Sequence, residues 1–252
     1  MTEPVVQVEH LRKEFNGTVA VADLSFTVQR GEIVGLLGAN GAGKTTAIQT
    51  LLGLIKPTGG KVAVFGMDIE RHRVAILQRA NFCSAYTGLP TNLKVWENLL
   101  IFSLIYGVKD HRRKIAELLA LLEISHLRKA ITGHLSSGES TRVNICKSLL
   151  NDPELLLLDE PTASLDPDMA DKVRKLLRRI QRERNITMVY TSHNMRDVQE
   201  VCDRVLFMHK GRIIAQGTPQ QVMDQFNQTS LEDVFISVAR GGDVLTPKSE
   251  AS

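Results

Sequence analysis

Residues 38–46 read "GANGAGKTT", and Gly38, Gly43, Lys44 and Thr45 satisfy the pattern G-x-x-x-x-G-K-[ST]. Glycines at 38, 41 and 43 let successive backbone N–H groups turn inward around one phosphate, and a helix starting at Lys44 adds its positive end. In that geometry Lys44 reaches the outer phosphates and the Thr45 hydroxyl holds Mg²⁺, with Asn40 and Thr46 completing the loop. A glycine-rich turn can match such a pattern by chance. Here it follows the β-like run "EIVGLL" and precedes "KTTAIQTLLGLI", which reads as a helix. That is the context the mechanism requires.

Three further stretches carry suitable groups. "ELLLLDE" at 154–160 ends in adjacent carboxylates, Asp159 and Glu160. In an open parallel sheet ligands sit beyond the C-terminal strand ends, so these acids point toward a nucleotide. Asp159 suits Mg²⁺, and Glu160 can accept a proton from attacking water. The bland alternative is that either acid merely caps a turn. It weighs more on Glu160, because neighbours on a strand face opposite ways. His193, in "SHNM", lies just past another apolar run and taken alone reads as a turn residue. "HLSSGES" at 134–140 contains a capping box, Ser136-x-x-Glu139. The box leaves Gly138 unexplained, since an interior helical glycine costs about 1 kcal/mol against alanine. A glycine there makes sense where something approaches the backbone closely, so a second phosphate-holding helix start and a plain cap both stand.

The elements that must position these groups alternate. "VVQVEH", "LSFTVQ" and "EIVGLLG" are β-like, and "KVAVFG" adds a short strand. From about 92 to 150 the apolar spacing is helical, with Leu99, Phe102 and Ile105, then Ile115, Leu118, Leu119 and Leu122. Four successive leucines at 155–158 predict a central strand buried on both faces. A helix over 167–182 has the apolar stripe Val173, Leu176, Leu177 and Ile180. Its basic residues Arg174, Lys175, Arg178, Arg179 and Arg182 read as a solvated face. "ITMVYTS" is a second buried strand, and "RVLFMHKGRIIAQG" a hairpin around Lys210-Gly211. The expected fold is α/β: a P-loop core with a parallel sheet, an N-terminal antiparallel β portion, and an all-helical lobe inserted at roughly 90–150. One unit spanning 4–240 follows, with a polar, disordered tail at 241–252.

Bulk properties exclude several classes. The 252 residues are 43% hydrophobic and 23% charged, ordinary for a globular protein. A net charge of +3 gives no argument for nucleic acid. The most apolar run, "LLIFSLIYGV", is about half the roughly 20 residues of a membrane span. Three scattered cysteines form neither a disulfide framework nor a zinc site, which suits a reducing cytoplasm. The N-terminus lacks a signal pattern, and no histidine spacing signals a metal.

Together the motifs resemble the ATP-binding subunit of ABC transporters over roughly residues 4–240. "GANGAGKT" matches Walker A, "LLLLDEP" Walker B, "LSSGE" the family signature LSGGQ, "SLD" at 164–166 the D-loop, and His193 the switch histidine. Phe15 falls where the family places an aromatic ring on adenine. The resemblance implies that two subunits pack head to tail, each ATP lying between one P-loop and the other signature. Lys44, Thr45, Asp159, Glu160 and His193 then act in cis, with Lys44, Glu160 and His193 catalytic and Thr45 and Asp159 on Mg²⁺. Ser136 and Gly138 act in trans, and Asp166 lies at the interface. It further implies separate transmembrane permease subunits docking beside residues 84–98, and a peripheral place on the cytoplasmic face of the membrane. "SLEDVFISVAR" near the C-terminus resembles exporter subunits.

The chain departs from the family at Ser137 and Glu139, where Gly and Gln are usual, and at Ala85, where a glutamine usually touches Mg²⁺. Ser84 or Tyr86 takes that place if the loop shifts by one residue. A homodimer is the expected arrangement; altered signatures in asymmetric pairs leave a heterodimer open. The rival readings are a soluble ABC-type ATPase of translation or DNA repair, and a P-loop kinase or GTPase with no use for a signature. Cargo is not legible.

Overall fold

A computed structural model describes residues 3–240; the tail predicted at 241–252 lies outside them. Strands β1 (Val6–Phe15) and β2 (Thr18–Val28) form an antiparallel hairpin, and β3 (Ile33–Leu37) leads through the glycine loop into α1 (Lys44–Leu51). Next come β4 (Gly59–Val64), β5 (Met67–Asp68), α2 (Ile69–Arg79) and β6 (Ala80–Ser84). The inserted lobe holds α3 (Val95–Ile105), α4 (His111–Leu121) and α5 (Ser137–Ser148). The chain then returns through β7 (Leu155–Asp159), α6 (Pro167–Arg184), β8 (Thr187–Ser192) and α7 (Met195–Val201). The strands β9 (Arg204–His209) and β10 (Arg212–Gly217) and the helices α8 (Pro219–Gln225) and α9 (Leu231–Arg240) complete the described chain.

The strands form one ten-stranded sheet in the order β5-β4-β1-β2-β10-β9-β3-β8-β7-β6. β6, β7, β8, β3 and β9 run parallel, whereas β1, β2, β4 and β5 pair antiparallel. The α/β class, the N-terminal antiparallel portion and the helical insertion are thus as the sequence predicts.

The leucine run explains why the core has two sides. Leu156 and Leu158 pack with the helical lobe, α6, α7 and α9, while Leu155 and Leu157 pack with β1, β2, β4, α1 and α2. Each is fully buried, so alternation vanishes because both faces are covered. The expected hairpin at Lys210-Gly211 is β9–β10.

Three local readings change. The helix after the glycine loop ends at Leu51 rather than continuing to Ile55, because Gly53 takes φ 62°. The strand β6, "ANFCS", was hidden by its polar residues. Asn81 is buried on it and its side-chain amide donates to Asn151 Oδ1 at 2.8 Å, which satisfies a side chain that looks wrong for a core strand. Arg174 is not on a solvated face: it is 3% exposed, turned from the stripe of α6 toward α7, where its guanidinium meets Asp197 and Glu200.

Candidate functional site

The glycine loop hangs from the C-terminal end of β3, and glycine is required at two of its corners. Gly41 and Gly43 have φ 80° and 101°, left-handed values that other residues adopt only under strain. A Cβ on Gly43 would also lie 2.7 Å from the Ala20 carbonyl oxygen of β2. Gly43 is the N-cap of α1 and offers no side-chain acceptor, and the first turn holds no acid. The first N–H groups of α1 therefore lack a side-chain cap, as an anion-binding helix start needs.

Lys44 folds back over the loop, donating to the carbonyl oxygens of Gly38 (2.6 Å) and Ala39 (3.2 Å). Burial pulls its pKa below the usual lysine value, against the pull of the Glu160 and Asp159 carboxylates, which favour the charged form. All three line one cavity of about 610 Å³, shared with Asn40, Gly41, Gly43, Thr45 and Thr46.

Asp159 ends β7 and accepts a hydrogen bond from the Thr191 hydroxyl of β8 at 2.5 Å. Strand alternation predicts that Glu160 faces the opposite way, and the backbone cancels that. Glu160 has φ 52°, and its N–H donates to both the carbonyl and the hydroxyl oxygen of Thr191, each at 3.1 Å. The left-handed turn costs about 1–3 kcal/mol for a non-glycine residue and swings Glu160 into the same cavity as Asp159. His193 is brought to it, with Nδ1 2.5 Å from a Glu160 carboxylate oxygen. The histidine read alone as a turn residue is thus paired with a buried acid.

The other predicted residues lie elsewhere. Ser136 caps α5: its hydroxyl accepts from the Glu139 N–H (3.3 Å), and the Glu139 carboxylate takes the Ser136 N–H (2.8 Å) and O–H (2.9 Å). The Ser136 N–H and hydroxyl hold the Glu139 carboxyl below its usual pKa. Gly138 is buried, and a Cβ there would lie 2.5 Å from the Met169 methyl of α6, the movable end of a flexible side chain. Asp166 is the N-cap of α6, accepting from the Met169 N–H at 3.0 Å. Neither Ser136, Gly138 nor Asp166 lines the cavity, and Gly38 meets it only through Lys44. Phe15 stands at the tip of the β1–β2 hairpin, 41% exposed under the Lys13 ammonium, while Ala20 lines the cavity. Ser84, Tyr86 and Thr87 line the cavity; Ala85 faces a separate one beside Ser137 and Ser140. Thr191 was missed. Its only signal was a hydroxyl directly before the end of "ITMVYTS".

The family model for ABC transporters matches residues 21–163, over half of the chain. The chain belongs to the ABC transporter family. It is similar to the bacitracin transport ATP-binding protein BcrA of Bacillus licheniformis, 38% identical over 84% of this chain and 69% of that one. The lipopolysaccharide export system ATP-binding protein LptB of Haemophilus influenzae is 35% identical over 87% and 93%. The methionine import ATP-binding protein MetN of Latilactobacillus sakei is 34% identical over 96% and 71%. CbiO1 of Clostridium perfringens, part of the ABC transporter complex CbiONQ, has the same fold with a TM-score of 0.80, 28% identity, and coverage of 95% and 96%. The chain is accordingly an ATP-binding, ATP-hydrolysing subunit of an ABC transporter. Among the described residues, no helix is long and apolar enough to cross a membrane.

Proposed function

We propose that two ATPase units, each spanning 4–240, close head to tail over ATP, and that Glu160-assisted hydrolysis opens them again. The observation that carries this is a division of the motif residues. Lys44, Thr45, Asp159 and Glu160 line one cavity with His193 on the Glu160 carboxylate, whereas the helix start at Ser136 stands exposed outside it. A serine there can face a second subunit's γ-phosphate once the phosphate displaces the Glu139 carboxylate from it.

In this reading Lys44 holds the outer phosphates and the loop N–H groups cradle them. Glu160 takes the proton of the attacking water, with His193 fixing the orientation of the carboxylate. The Thr45 hydroxyl and Asp159 carboxylate are hard oxygen donors on one cavity, which fits Mg²⁺, an ion held through few protein ligands. Mg²⁺ there would neutralise charge on the β- and γ-phosphates. Ser84 or Tyr86, both on the cavity, stands in for the glutamine that Ala85 replaces if the loop shifts by one residue, and Phe15 stacks on adenine only if the hairpin tip swings inward.

The membrane partner is a separate permease. α3 leaves Ile101, Leu104 and Ile105 exposed, and Tyr86 is 71% exposed at the loop that lines the ATP cavity, so an apolar segment docked here senses the nucleotide. The subunit then works on the cytoplasmic face of the membrane. Export is the preferred direction, on the likeness to LptB of the lipopolysaccharide export system. α9 is a weaker support, since Leu231, Val234 and Val238 simply dock it on the core.

The test is the solution mass of Glu160→Gln with and without ATP. That variant should bind ATP, barely hydrolyse it, and shift from monomer to dimer. A variant that binds ATP and stays monomeric removes the homodimer and leaves a second, different subunit as the partner.

A further inference from the structure

Glu160 and His193 lie on different loops, after β7 and after β8, yet their contact requires both to be placed to a few tenths of an ångström. Beneath them is a charged cluster that the catalytic reading does not use. Asp197, on α7, is fully buried, and its Oδ1 accepts from the Arg174 guanidinium at 2.7 Å. Arg174 is held again by Glu200 at 2.6 Å and lies 3.6 Å from Asp171. The other oxygen of Asp197 accepts from the Thr162 hydroxyl, with the Ser192 hydroxyl at 3.4 Å and the Tyr190 hydroxyl at 3.5 Å.

Thr162 lies in the loop after β7, and Ser192 ends β8 where the His193 loop begins. Thr162 is two residues past Glu160, in the turn closed by the Ala163 N–H on the Glu160 carbonyl oxygen at 3.1 Å. Ser192 immediately precedes His193, and its hydroxyl also accepts the Asn194 N–H at 2.9 Å, so it fixes the turn that presents the histidine. One carboxylate oxygen therefore gathers a hydroxyl at each loop. A buried ion pair is a poor source of net stability, because desolvation offsets most of its attraction. A buried pair whose remaining lone pairs tie two loops together sets geometry instead.

We infer that the Asp197 carboxylate, held by Arg174, is a positioning group that locks the Glu160 and His193 loops into one body, with Thr162 as its link to Glu160. This rests on the proposal that Glu160 is the general base. Neither Thr162 nor Asp197 lines the cavity that holds Lys44, Asp159 and Glu160; they act through Glu160 and His193.

Thr162→Val keeps shape and leaves the Arg174–Asp197 pair intact while removing the link. In the full-length chain, assayed well below the melting transition, it should lower kcat for ATP about 10-fold, leave KM near the parent's, lower the melting temperature by only a few degrees as a buried carboxylate oxygen loses its nearest donor, and shift the His193 ring resonances in NMR spectra. Thr162→Ser, which restores a hydroxyl, should bring kcat back to within about 3-fold of the parent. In a Glu160→Gln background Thr162→Val should cost nothing further, since the group it positions has gone. An unchanged kcat in Thr162→Val, an equal loss in both backgrounds, or a loss that follows the melting temperature overturns the positioning role. A Glu160→Gln variant that hydrolyses ATP normally instead overturns the reading of Glu160 itself, and the positioning role with it.

Discussion

Two helix starts in this protein look equally able to hold a phosphate, and they are built in opposite ways. α1 begins at a left-handed glycine with no side-chain cap and no acid in its first turn. α5 begins at Ser136 with a complete capping box and Glu139 in its first turn. The start of α1 leaves its N–H groups to a ligand. The start of α5 is satisfied by its own chain, so a phosphate arriving there must compete with Glu139 for the Ser136 hydroxyl and N–H. A self-capped helix end suits a surface that waits for a second subunit; an uncapped one suits a site that keeps its nucleotide.

The contrast breaks most visibly at Lys44. Lys44→Ala should lower kcat/KM for ATP by about 100-fold or more, with ATP affinity falling alongside, because a preorganised cation is lost from the phosphates. Ser136→Ala should separate the two starts: ATP binding to the isolated chain persists, hydrolysis falls about 10-fold, and lost capping costs about 1 kcal/mol in chemical denaturation. If hydrolysis were untouched, α5 would be a cap and nothing more. Gly138→Ala sharpens the point. The added Cβ meets only the flexible end of Met169, and alanine gains about 1 kcal/mol of helix propensity, so stability should hold. Hydrolysis should still fall several-fold if a phosphate must approach that backbone.

The smallest effect concerns Glu139. Its carboxyl is held below the usual pKa by Ser136, so the charged form stabilises the fold above the unfolded value of about 4.3. That contribution is lost as pH falls through the lowered folded value. It should amount to about 0.5 kcal/mol at pH 7, present in the parent and absent from Glu139→Gln, with the two melting curves converging in acid. The same substitution should tighten ATP-dependent pairing a few-fold by removing a negative charge beside the partner's phosphates.

Legibility in the sequence followed the range of the cause. The glycine loop, the four-leucine strand and the Ser136 box depend on neighbours within a few residues, and all could be read. β6 could not, because Asn81 looks polar until Asn151, some seventy residues away, supplies its partner. Arg174 looked like one cation of a solvated face, and only the approach of α7 showed that it is buried against Asp197. Pairing Glu160 with Asp159 in one cavity needed a positive φ that no composition signals. Ala85 is the converse case: its departure from the family, and Ser84 or Tyr86 as the stand-in, were plain in the sequence, and the fold adds that Thr87 joins both on the cavity.

The order of strands also sets a timetable. β3, which carries the glycine loop, has as its two neighbours β8 and β9, from the last third of the described chain. While the polypeptide is being made, the nucleotide loop is among the first segments to emerge, and its strand lacks both neighbours until β8 and then β9, at residues 187–209, are free of the ribosome. Such non-local pairing is slow to form and leaves apolar strands uncovered meanwhile. A chain released before β8 and β9 would therefore carry its nucleotide loop on an unpaired strand.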